Sequence, residues 1–81
     1  MELIDLAKAL DTFYKIGVER KERNALIQCF GIKYADVIKE NRFRPQDIVE
    51  KSILKGTEYA TEIRKGMKLA KYVSLREDLN F

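Results

Sequence analysis

From Leu3 to Val73 the apolar residues of this chain return at every third or fourth position, and no stretch alternates strongly with period two. That spacing lays an apolar stripe along one side of a helix and cannot fill one face of a sheet. The expected fold class is therefore all-α, a compact single-domain bundle of four to six short helices over residues 1–81. A chain of this length buries only about 60% of its extended surface, so its core is thin. A thin core favours completion by a partner, and a homodimer is one form this could take.

Leu3, Leu6, Ala7, Leu10, Phe13 and Tyr14 form the first stripe, over residues 2–16, with Asp11 and Lys15 paired i,i+4 on the outer side. The polar run Glu19-Arg20-Lys21-Glu22-Arg23-Asn24 is either the solvated middle of one long helix or a corner between two. Ala25, Leu26, Cys29 and Phe30 resume the stripe, which Gly31 is expected to close as a C-cap. A short helix over 33–42 turns Tyr34, Val37 and Ile38 inward. Pro45 suits the first position of the next helix, with Phe43 stapled onto Ile48, Asp47 paired to Lys51, and Gly56 at the end. Thr57 can cap a last helix with inner face Tyr59, Ile63, Met67 and Ala70, running to Val73. Ser74 to Glu77 has the form of a capping box, opening a final turn that would lay Leu75, Leu79 or Phe81 on the body.

The inventory for catalysis is short. The chain has no His, so Ser52, Ser74 and Cys29 have no imidazole to activate them. Cys29 is alone and can enter neither a disulfide nor a cysteine metal site. The carboxylate pairs Asp36/Glu40 and Glu58/Glu62 read as solvated helix faces, and no glycine-rich phosphate loop is present. The expectation is a non-enzymatic protein with no catalytic residue, cofactor or metal. The acidic start Met1-Glu2-Leu3-Ile4-Asp5 and the absence of any long apolar run point to a cytoplasmic protein without a transmembrane segment.

Charge is more informative. Residues 1–30 hold five cations and five anions, whereas residues 31–81 hold eleven and eight, so the net +3 lies wholly in the second part. Arg64, Lys65, Lys68, Lys71 and Arg76 follow one another without an intervening acid, and Arg64, Lys68 and Lys71 share one helical face. Such a stripe suits phosphate, an anionic membrane surface or an acidic protein patch. The aromatic residues are numerous for a small core, and Tyr14, Tyr34, Tyr72 and Phe81 are expected to be partly exposed. Together these features predict a regulatory protein acting by protein–protein binding. Its partner surface would be the N-terminal stripe (Leu6, Leu10, Phe13, Tyr14) followed by Arg64, Lys68 and Lys71.

A competing reading places a DNA-binding helix-turn-helix over residues 23–42, with Gly31 as the turn glycine. Leu26 and Phe30 would then pack the first helix, Ile32 would follow the turn, and Val37 would anchor the second. Lys33, Tyr34, Asp36, Lys39 and Glu40 would face the major groove. With five helices and the motif on the second and third, the arrangement resembles the phage-repressor family of DNA-binding domains. The acids on the reading helix and the missing later apolar anchor argue against it.

The composition, together with the stretch Asp47 to Gly56 and the stretch Ile63-Arg64-Lys65-Gly66-Met67-Lys68-Leu69-Ala70, resembles the small accessory proteins of T-even-type bacteriophages. Among these it looks most like the cytoplasmic rapid-lysis proteins that support lysis inhibition. The resemblance implies an antiholin-type protein in the host cytoplasm that binds the cytoplasmic part of a holin and delays lysis. It assigns no site residue.

Overall fold

The computed structural model describes residues 1–79 and 81 and consists of α1 (Leu3–Arg20), α2 (Arg23–Glu40), α3 (Pro45–Glu50) and α4 (Ala60–Leu69), followed by a 3₁₀ turn at Glu77–Leu79. No strand is present among the described residues, and the all-α class holds. Residues 2–30 divide into two helices at a tight corner. The helix-ending bond runs from the Glu22 N–H to the Gly17 carbonyl at 2.8 Å, and Lys21 takes the left-handed conformation (φ 59°) that reverses the chain. The α2–α3 corner repeats the device: Phe43 N–H donates to the Ile38 carbonyl at 3.1 Å and Arg42 sits at φ 57°.

One core joins all four helices. Leu6, Leu10 and Phe13 of α1 meet Leu26, Ile27, Phe30 and Ile38 of α2, Ile48 and Val49 of α3, and Ile63 of α4. Phe13 and Phe30 meet edge to face with centroids 5.8 Å apart, Tyr34 lies 5.1 Å from Phe30, and Phe81 returns to within 4.8 Å of Phe13. Each such aromatic pair adds about 0.5–1.5 kcal/mol beyond its burial. Leu6 and Leu10 are 0% exposed and Phe13 1%, so these residues are interior and offer nothing to a partner. The N-terminal stripe is regular because α2, α3 and the tail of the same chain cover it. Only Tyr14 of that set is half-buried, edge-on to Tyr59 at 5.7 Å.

Gly31 neither caps nor turns. It lies in the middle of α2, buried, and no helix break occurs between Arg23 and Glu40. The turn that the competing helix-turn-helix reading placed at Gly31, within residues 23–42, is therefore absent, and Tyr34 packs into the aromatic cluster instead of facing a groove. The glycine is there for α4. A Cβ on Gly31 would overlap the Ile63 carbonyl oxygen and lie 3.0 Å from the Met67 nitrogen; a Cβ on Gly66 would overlap the Gln28 carbonyl oxygen. Backbone meets backbone at this crossing, which only two glycines allow. Gly31-Ile32-Lys33-Tyr34-Ala35 and Gly66-Met67-Lys68-Leu69-Ala70 thus share one spacing, Gly-x-Lys-x-Ala, on two helices in contact.

The second half departs from expectation in detail. α3 stops at Glu50, well short of Gly56, because Ser52 competes for the backbone: its hydroxyl donates to the Val49 carbonyl at 2.8 Å and accepts the Leu54 N–H at 3.0 Å. Thr57 does not cap α4; its hydroxyl donates back to the Leu54 carbonyl at 2.7 Å, and the helix begins at Ala60 and ends at Leu69 rather than Val73. Asp47 pairs with Arg44 at 3.0 Å rather than with Lys51, its carboxylate held below the usual aspartate range by the guanidinium hydrogen bonds. Asp11 accepts the Ile53 N–H at 2.9 Å, tying α1 to the segment after α3. The final turn begins at Glu77 rather than Ser74, while Leu75 packs on the core.

Candidate nucleic-acid interface

The outward residues of α1 and α2 carry both signs of charge: Asp5, Lys8, Lys15, Glu19 and Arg20 on the first, Arg23, Asp36, Lys39 and Glu40 on the second. α4 is different. Ala60, Ile63 and Gly66 are buried against α2, which leaves Thr61, Arg64, Lys65, Lys68 and Leu69 outermost. Helical spacing puts Arg64, Lys68 and Lys71 in one row, since Lys71 follows in a turn that continues the helix through its N–H to the Lys68 carbonyl (3.4 Å).

Where this row meets the end of α2, an open cleft of about 360 Å³ is lined by Lys39, Pro45, Arg64, Met67, Lys68 and Lys71. Its walls carry four cations and no carboxylate, and its floor is the apolar surface of Pro45 and Met67. The ion pairs among the described residues are Arg44–Asp47, Lys65–Glu62 and Arg76–Asp78, so none of the four cleft cations is neutralised by a neighbouring carboxylate. Cations gathered without counter-charges create a field that attracts polyanions.

The start of α4 is fixed differently. Glu62 accepts from Gln28 Nε2 at 2.7 Å and from Lys65 Nζ at 3.1 Å, bridging α4 to α2 beside the glycine crossing. The Gln28 hydrogen bond, and after it the Lys65 bond, hold the Glu62 carboxyl below the usual glutamate range. A carboxylate depressed in the native state contributes stability above its unfolded value, about 4.3, and loses that contribution as pH falls through its native value. Glu62→Gln is expected to lower stability at neutral pH, where the ionised carboxylate contributes, and to converge on the wild type below about pH 4.3, so that its decline in acid is flatter. Urea unfolding of the two proteins between about pH 3 and 7 checks this; parallel curves would assign the acid sensitivity to other groups.

Of the residues expected to bind a partner, the structure brings together Arg64, Lys68 and Lys71 and separates them from the buried Leu6, Leu10 and Phe13. Lys39 joins the row from α2, a residue that helical periodicity alone does not group with it. The Gly-x-Lys-x-Ala spacing common to α2 and α4 is the sequence signal that could have brought these helices, and so Lys39, to α4. Among the described residues no cluster of potential metal ligands occurs, and no helix is long and apolar enough to cross a membrane.

A small helical domain with one outer helix clothed in cations is the class that this geometry defines. The chain belongs to the family of HTH-like domains, which it matches over residues 2–76. No curated protein and no solved structure shows a significant match to it. Nothing in these comparisons points to the phage lysis-inhibition proteins that the composition resembles.

Proposed function

We propose that the protein is a non-enzymatic regulator that binds nucleic acid through the row Arg64, Lys68 and Lys71 together with Lys39. The observation that carries this reading is the cleft itself: four unneutralised cations from two helices in one place, with no carboxylate among them. Membership of the HTH-like family supports it, since such domains commonly present a helix to DNA. The presenting helix is α4 rather than the second half of α2. Phosphate contacts would supply the affinity, and Thr61 and Lys65 on the outer side of α4 are placed to reach base edges.

Fluorescence anisotropy with a random labelled duplex at low salt tests this directly. If the four cleft cations each meet a phosphate, the log–log salt slope is about −3.6, and affinity falls roughly 150-fold between about 50 and 200 mM salt. The double variant Lys68→Glu/Lys71→Glu removes two of those contacts and adds repulsion, so binding should vanish at micromolar protein while the helical signal is unchanged. Absence of wild-type binding at low salt to both this duplex and a single strand, or equal binding by the double variant, would overturn the proposal.

A further inference from the structure

Three of the four tyrosines are packed: Tyr14 and Tyr59 against each other, and Tyr34 against Phe13 and Phe30. Tyr72 is not. It is 82% exposed, the most exposed of the large apolar side chains, and enters no aromatic pair among the described residues. Its N–H donates to the Leu69 carbonyl at 2.9 Å, so it continues the helical path one turn beyond Lys68 and directly after Lys71. Leu69 and Val73, 41% and 49% exposed, flank it. The cation row therefore ends in an exposed aromatic ring with exposed apolar neighbours.

A duplex has little use for such a ring. Its phosphates and groove edges are polar, and its base faces are already stacked on one another. The nucleic-acid surface complementary to an exposed aromatic face beside lysines is an unpaired base, as in proteins that hold single strands by a cationic track and stacking platforms. We infer that Tyr72 stacks on an unpaired base while Lys68 and Lys71 hold the adjoining phosphates, so that the ligand of this surface is a single-stranded segment or a single-stranded end of a duplex. This inference rests on the proposed nucleic-acid binding by the same cleft and names the strand state of its ligand.

Four proteins and two ligands test it: wild type, Tyr72→Ala, Tyr72→Phe and Lys68→Glu/Lys71→Glu, each titrated into a mixed-sequence single-stranded oligonucleotide and the corresponding blunt duplex. With no tryptophan in the chain, tyrosine fluorescence can be followed directly, and comparison with Tyr72→Phe separates the share of Tyr72 from that of the other three tyrosines. The single strand is expected to quench part of the wild-type signal. Tyr72→Ala should weaken single-strand binding about 5- to 150-fold and leave duplex binding nearly unchanged. Tyr72→Phe should keep the affinity, because the ring remains, and lose the quenching component. Exposure of Tyr72 makes unfolding of these variants an unimportant concern, and circular dichroism verifies it. Duplex binding with no single-strand preference, or equal losses on both ligands in Tyr72→Ala, would overturn this inference and leave the nucleic-acid proposal standing. Failure of the wild type to bind either ligand would overturn both.

Discussion

Replacing Gly66 with alanine should lower stability by about 3 kcal/mol, a fall in Tm of roughly 12–24 °C for a domain of this size. Two effects oppose each other. Alanine is the better helix former, worth about 1 kcal/mol in an open helix. At Gly66, however, the added methyl overlaps the Gln28 carbonyl oxygen and lies 2.8 Å from the carbon of that same carbonyl, and these are backbone atoms of a helix that cannot swing aside. Relief requires α2 and α4 to separate, which also opens the Ile63 and Phe30 packing beside the crossing and loosens the Gln28–Glu62 bond. The steric cost outweighs the propensity gain. Gly31→Ala should behave alike, its methyl facing the Ile63 carbonyl oxygen and the Met67 nitrogen. Gly56→Ala is the useful contrast: nothing lies within 4 Å of that site, and its cost comes only from the left-handed backbone at φ 84°. Thermal melts of the three variants should rank Gly56→Ala as the mildest. A Gly66→Ala protein as stable as wild type would show that the two helices do not touch as described.

Truncating Phe13 to alanine should cost about 3–5 kcal/mol, and Phe13→Asp should prevent folding altogether. A domain with 0.05–0.15 kcal/mol of net stability per residue has only about 4–12 kcal/mol to lose. Phe13 is 1% exposed and its ring meets Phe30, Tyr34 and Phe81, so truncation leaves a void walled by aromatic rings from α2 and the chain's tail. Circular dichroism and urea titration distinguish this outcome from the alternative. A well-folded Phe13→Asp protein would mean that the α1 stripe is a surface, as periodicity alone would allow.

That ambiguity marks how far the sequence could be read. The stripe Leu3 to Tyr14 gave α1 its existence and inner face, but periodicity cannot say whether the cover comes from the same chain or another. Pro45 and Phe43 placed the start of α3 because proline restricts its own φ and needs no N–H donor there. The end of α3 was hidden, since a serine hydroxyl replaced the helical bond locally and serine carries no mark of which choice it will make. Gly31 misled for a related reason. Glycine ends helices and also permits close helix crossings, and only the partner glycine on α4 decides between them. The cation row was legible because Arg64, Lys68 and Lys71 lie on one helix. The cleft was not, because Lys39 arrives from a distant part of the sequence.

The glycine crossing has a consequence for whatever the cation row meets. A helix free to rock on a fluid layer of side chains would have to be stilled on binding, at a cost in conformational entropy. α4 rests by its backbone on the backbone of α2, so its orientation is settled before any ligand arrives. What remains to be ordered is only the outer length of three lysines and an arginine. Affinity on this face should then track the number of charges presented and depend little on how tightly the rest of the domain holds together.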